Sequence, residues 1–161
     1  MLPNEKRQVY LDHAATTPVD PAVVEAMLPA FNQFWGNPSS LYERGQAAHA
    51  LMETAREQVA GVLNCKPAEI MFNSGGSEGD NLALKGVALH AKLKGQGNHI
   101  ITTAFEHHAI LHAAEYLEQF GIETTYLPVN NEGLVDPQEV ARAIRPGQTV
   151  LVSVMYANNE I

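Results

Sequence analysis

Only one cysteine, Cys65, occurs in the 161 residues, so an internal disulfide framework is excluded and a reducing compartment fits. Its neighbours Asn64, Lys66 and Pro67 read as a loop after a helix, where a free thiol is incidental. Positive charge is scarce too: 10 Lys and Arg stand against 18 Asp and Glu, for a formal net charge of −8. Those cations are scattered, which argues against a nucleic-acid surface or a polybasic membrane patch. No apolar run reaches membrane length, and the polar start, residues 1–7, has no signal-peptide core, so a cytoplasmic protein is expected. The chain has no Gly-Lys-Ser/Thr of a nucleotide-binding loop and no Gly-x-Gly-x-x-Gly. Metal-spaced cysteines, internal repeats and low-complexity segments are missing as well, and no Ser/His/Asp triad can be argued from spacing.

What is there is the pattern of one globular α/β domain, 45% hydrophobic and 17% charged. Val9-Tyr10-Leu11 reads as a short strand, broken by Asp12-His13 and a small, polar stretch. Asp20-Pro21 starts a helix to about residue 34, bent or interrupted at Pro29. Trp35-Gly36-Asn37-Pro38-Ser39-Ser40 opposes helix and reads as a loop. Helical spacing returns from about 41 to 63, with Arg44, Glu53 and Arg56 nearer solvent. Strands are expected at 69–72, 99–103, 124–129 and 149–155, and helices at about 76–93, 107–120 and 137–144. Asp136-Pro137-Gln138-Glu139 looks like a capping box, and Gly121 like a C-cap. Strands that alternate with helices and are largely apolar predict a parallel sheet covered on both faces. The sequence stops directly after its last strand, where α/β sheets hold their ligands, so the sheet is expected to be incomplete in this chain.

The stretch that organises the rest is Phe72-Asn73-Ser74-Gly75-Gly76-Ser77-Glu78-Gly79-Asp80-Asn81. A glycine turn that runs into a helix start can cradle a phosphate, because first-turn N–H groups lack intrahelical partners at the positive end of the macrodipole. Gly75 and Gly76 would permit close approach and positive φ, and Ser77 adds a hydroxyl. The same residues also spell a plain turn with Ser74 or Ser77 as N-cap and no ligand. His107 and His108 fall at another strand-to-helix junction, where an imidazole can stack on a flat cofactor, shuttle a proton, or simply face solvent. His108 and His112 share a helix face, but Glu106 is the only close carboxylate and no metal site is expected. His13, His49, His90 and His99 form no constellation and read as surface or packing residues. Asn158-Asn159-Glu160 is a solvated loop or a set of ligand contacts, and Asn37 reads first as turn chemistry.

Five stretches then occur in one order: Tyr10 to Pro18, Gly36 to Ser40, Phe72 to Asn81, Glu106-His107-His108-Ala109, and Asn158-Asn159-Glu160-Ile161. Together they resemble the amino-terminal part of NifS/IscS-type cysteine desulfurases, members of the class-V aminotransferase family with fold type I. The resemblance covers essentially the whole chain. It implies a three-layer αβα large domain with a mainly parallel sheet, left incomplete here. Residues 1–20 would form a segment at the substrate entrance and 21–161 the first part of the cofactor-binding domain. The implied cofactor is pyridoxal 5′-phosphate. Gly76 and Ser77 match the phosphate-binding positions, where the family commonly has Ala-Thr, and serine keeps the hydroxyl. His107 matches the histidine stacked on the pyridine ring, and Asn159 the asparagine at its phenolic oxygen. Ala14, Ala15 and Thr16 match the substrate-entrance segment, and Asn37 a loop close to the site.

The resemblance implies conversion of L-cysteine to L-alanine, with the sulfur passed as an enzyme persulfide toward iron–sulfur cluster assembly. Implied partners are a sulfur-acceptor or scaffold protein, a missing carboxyl-terminal half or second chain, and a second copy in a homodimer. Neither nucleic acid nor membrane is implied. The family's Schiff-base lysine, ring-nitrogen aspartate and nucleophilic cysteine match no residue here, since Lys85 is on the wrong helix and Cys65 does not correspond. The chain alone is therefore expected to be inactive and to fold poorly by itself. A selenocysteine lyase or another carbon–sulfur lyase is the near alternative, and a non-catalytic binding remnant the distant one.

Overall fold

The computed structural model describes residues 8–161. The polar start, residues 1–7, lies outside the described residues. Two compact units follow one another along the chain, the first running through Phe72 and the second from Asn73 to Ile161.

In the first unit, α1 (Pro21–Asn32) begins as its sequence dictates: the Asp20 carboxylate accepts the Ala22 N–H at 2.8 Å, and Pro21 takes the first helical position. Pro29 does not end the helix, and its carbonyl accepts the N–H groups of both Gln33 and Phe34, at 2.8 and 2.9 Å. The expected strand at Val9-Tyr10-Leu11 is not formed. Those residues are exposed and make no ladder with any described residue, so the backbone has no partner to fix it. Helix α2 (Glu43–Leu63) ends where Asn64 turns left-handed, at φ 53°. The loop before it packs onto its first turn: a Cβ on Gly36 would sit 2.3 Å from the Arg44 carbonyl oxygen, so only glycine fits.

A 3-10 turn, Pro67–Glu69, follows α2, and residues 70–72 are not the expected strand. A side chain holds them instead. Arg56 is half-buried rather than turned to solvent, donating to the Ile70 carbonyl at 2.6 Å with its guanidinium 4.8 Å from the centre of the Phe72 ring.

The second unit holds α3 (Gly76–Leu93), β1 (His99–Thr103), α4 (His108–Glu118), β2 (Glu123–Leu127), α5 (Pro137–Ala143) and β3 (Thr149–Val152). Its sheet is parallel, in the order β2-β1-β3. The central strand β1 is buried at all five positions, its two isoleucines in the core and its His99, Thr102 and Thr103 buried polar residues. A core of Leu84, Ala88, Ile100, Ile110, Ala114 and Leu117 packs α3 and α4 together over one face of it. The chain runs outward from β1 to β2 through α4, then returns past β1 to β3 through α5. Right-handed crossovers in opposite directions belong on opposite faces, so the chain's course reverses between β1 and β3. That reversal places a crevice at the carboxyl ends of these two strands.

Two local expectations differ in the second unit. Strand β3 stops at Val152 rather than near 155, because its ladder with β1 ends at the Ile101–Val152 pair and one further Ser153 N–H to Ile101 bond of 2.8 Å. Asp136 does cap α5, accepting the Gln138 N–H at 2.8 Å, but Glu139 bonds Arg142 at 2.6 Å instead of closing a capping box. His99 is a packing residue, as expected, and a demanding one. Fully buried, it bonds Thr149 Oγ1 through Nδ1 at 2.7 Å and Thr125 Oγ1 through Nε2 at 2.9 Å, so one ring ties all three strands.

Candidate functional site

At the start of α3 the helix N-cap is Gly75, with φ 162° and ψ 174°, and no side chain caps the turn. Neither Ser74 nor Ser77 is the cap. The Ser74 N–H and hydroxyl both donate to Glu78 Oε2 at 2.6 Å, and these bonds hold the Glu78 carboxyl below its usual range. Gly75 donates to Asn73 Oδ1 at 3.0 Å. Neither Gly75 nor Gly76 takes the left-handed turn conformation expected of it; Gly75, at φ 162°, is simply extended.

Within this turn the N–H of Gly76, the N–H of Ser77 and the Ser77 hydroxyl have no partner among the described residues. A Cβ on Gly75 or Gly76 would meet nothing within 4 Å, so the space before these donors is open. Three free donors at the positive end of an 18-residue helix, with open approach, fit a phosphate dianion. Pyridoxal 5′-phosphate carries such a group.

The β1-to-α4 junction supplies the second component. His107 is the N-cap of α4, and its Nδ1 accepts the Ala109 N–H at 3.0 Å. That bond commits the Nδ1 lone pair, so a neutral ring carries its proton on Nε2. The ring itself is exposed. A cleft of about 500 Å³ between α3 and α4 brings the two components together, with Ser77, Asn81 and Lys85 on one wall and His107, His108 and His112 on the other. The Lys85 ammonium stands 4.6 Å from the centre of the Tyr116 ring. The His108 and His112 rings stack at 5.2 Å, and no group of three or more potential metal ligands occurs among the described residues.

Asn159 lies on the segment leaving β3, the strand that neighbours β1, and its amide donates to Glu160 Oε1 at 3.2 Å. It does not line the cleft shared by Ser77 and His107. The remaining candidates fall in the first unit. Ala15 closes a turn onto the Asp12 carbonyl at 3.2 Å, with Thr16 following and the Tyr10 hydroxyl donating to the Asp12 and Thr16 carbonyls at 2.7 and 3.2 Å; Ala14 sits within the same turn. The Asn37 side chain accepts the Ser39 N–H at 2.9 Å, the turn chemistry that its sequence suggests.

For one residue the sequence showed only a carboxylate near the histidines and not its role. Glu106 is buried, and its Oε1 accepts the Thr103 hydroxyl at 3.0 Å and the Met155 N–H at 2.7 Å. Its partner at Met155 is 49 positions away, so no local pattern could have exposed it.

Residues 9–161 match the family described as Aminotransferase class-V. A relative named cysteine desulfurase IscS, from Clostridium botulinum (strain Kyoto / Type A2), is 54% identical over 155 residues, 96% of this chain and 38% of that protein. Among solved structures, a NifS-like protein superposes with a TM-score of 0.89 at 41% identity, covering 96% of this chain and 42% of the other. A second, SspA in complex with cysteine, gives 0.87 at 38% identity over 94% of this chain and 43% of that one. The chain thus spans roughly two fifths of the length of the proteins it matches. Among the described residues no helix is long and apolar enough to cross a membrane.

Proposed function

The chain belongs to the class-V aminotransferase family, and from that premise we propose that it is the phosphate- and ring-binding portion of a pyridoxal 5′-phosphate-dependent cysteine desulfurase. The carrying observation is that Ser77, at the open start of α3, and the exposed face of His107 line one cleft. The relatives named as desulfurases and the neighbour solved with cysteine support the same substrate class.

On this reading the N–H groups of Gly76 and Ser77 and the Ser77 hydroxyl bind the cofactor phosphate. The cofactor, when bound, supplies an electron sink for the substrate's α-carbon. His107 packs on the flat ring and holds or moves a proton at Nε2, since Nδ1 is spent on its own helix. Asn159 orients the ring through its amide. Ala14, Ala15, Thr16 and Asn37 line the approach of the substrate. L-Cysteine and an enzyme thiol give L-alanine and an enzyme persulfide, for delivery to an acceptor protein in iron–sulfur cluster assembly. The lysine that holds the cofactor and the persulfide cysteine come from polypeptide outside these 161 residues, in a homodimer working in the cytoplasm. The 161 residues alone make no alanine.

Ser77→Ala in the assembled enzyme tests the reading. A hydrogen bond to a charged group contributes about 1.5–3 kcal/mol, so cofactor retention should weaken roughly 10- to 100-fold. Equilibrium dialysis against pyridoxal phosphate measures it. Unchanged retention would remove Ser77 from the phosphate site.

A further inference from the structure

Glu106 is the only buried carboxylate among the described residues, and it immediately precedes His107. The β1–β3 ladder gives out just before it: the last bond runs from the Ser153 N–H to the Ile101 carbonyl, and the two backbones then separate. Met155 would be the next residue of β3 to need an acceptor from β1. Glu106 Oε1 supplies it at 2.7 Å, while taking the hydroxyl of Thr103, the last residue of β1, at 3.0 Å. One oxygen therefore continues the sheet by a side chain where the main chain no longer can.

A second tie lies just beyond. Asn158 Nδ2 donates to the Phe105 carbonyl at 2.9 Å, and Asn158 Oδ1 accepts the Glu160 N–H at 2.7 Å, which brackets Asn159. The exits of β1 and β3 are thus laced together by two side chains, one from each exit. We propose that Glu106 is a positioning residue: its carboxylate latches the β3 exit to the β1 exit and so fixes Asn159 relative to His107. This rests on the reading of those two residues as cofactor contacts. The latch needs an acceptor oxygen at the end of a three-bond side chain. Glutamine supplies that oxygen without charge, aspartate falls one methylene short, and alanine leaves the Met155 N–H without its acceptor.

The experiment uses the holoenzyme containing this chain, as wild type, Glu106→Gln, Glu106→Ala and His107→Ala. Three quantities are read: amide exchange at Met155, the visible absorption band of bound pyridoxal phosphate, and kcat with KM for L-cysteine. Glu106→Ala is expected to speed Met155 exchange at least tenfold, to shift the band in the direction that His107→Ala shifts it, and to lower kcat tenfold or more with little change in KM. Glu106→Gln recovers most of each. Wild-type exchange and band in Glu106→Ala would overturn the latch. So would a Glu106→Gln enzyme as impaired as Glu106→Ala, since charge rather than the hydrogen bonds would then be the cause. If His107→Ala leaves the band where it was, the cofactor reading fails; the latch then stands on fast Met155 exchange in Glu106→Ala, or falls with slow exchange. Should Glu106→Ala not accumulate, Glu106→Asp carries the same expectations.

Discussion

The Ala109 N–H that donates to His107 Nδ1 decides which atom of that ring is available for chemistry. A histidine that caps its own helix cannot turn Nδ1 outward without leaving a first-turn donor unpaired. Only Nε2 is left to work on a bound group. On the proposed function, His107→Ala in the assembled enzyme should lower kcat by roughly 10²–10⁴, the usual contribution of a positioned acid–base group. Protein yield should hold, because for folding alanine costs only an exposed side chain and one cap bond. Steady-state alanine production checks this, and unchanged turnover would leave the ring a cap and nothing more. His107 and Ser77 were both legible as candidates in the sequence, because helix starts announce themselves in adjacent residues. Glu106 was not, because what makes it notable is a bond to Met155, reached only when two strands lie side by side.

Elements were legible where their signals are local and failed where they depend on a neighbour. The boundaries of α1, α2 and α3 follow from Asp20-Pro21, Asn64 and the glycine turn. Residues 9–11 and 70–72 have strand-like composition and no strand, because a strand exists only as half of a ladder. The sheet carries its own pH dependence through His99. Burial, then the Arg145 guanidinium, holds this imidazole below its ordinary value. The unfolded chain therefore takes up a proton on this ring at a higher pH than the folded sheet does. The stability contributed by the neutral ring is complete above about pH 6.5 and is lost as pH falls from there toward the lowered folded value. Thermal melting between pH 7 and pH 5 should show the loss, and His99→Gln, which cannot titrate, should flatten the slope. An equal slope in the variant would assign the effect to other groups.

For the whole molecule the balance of surfaces is the informative quantity. Large apolar side chains stand open to solvent in both units, among them Phe31, Leu41, Leu93, Leu134 and Tyr156, and β2 and β3 are both edges of a three-stranded sheet. Unpaired edges and apolar patches of this kind promote association. The 161-residue polypeptide by itself should bind a hydrophobic dye and self-associate in a concentration-dependent way, which fluorescence and sedimentation would measure. A monodisperse monomer without dye binding would count against that expectation. The sequence by itself determined the class of fold and the order of the helices, since periodicity, caps and turn residues act over a few positions and survive without tertiary context, and five short motifs in one order carried the resemblance to the family. Only the tertiary structure decided which strands exist, that Ser77 and His107 share one cleft, and that a buried carboxylate joins the exits of β1 and β3. Those facts are distances between residues far apart in the chain, and packing alone sets them.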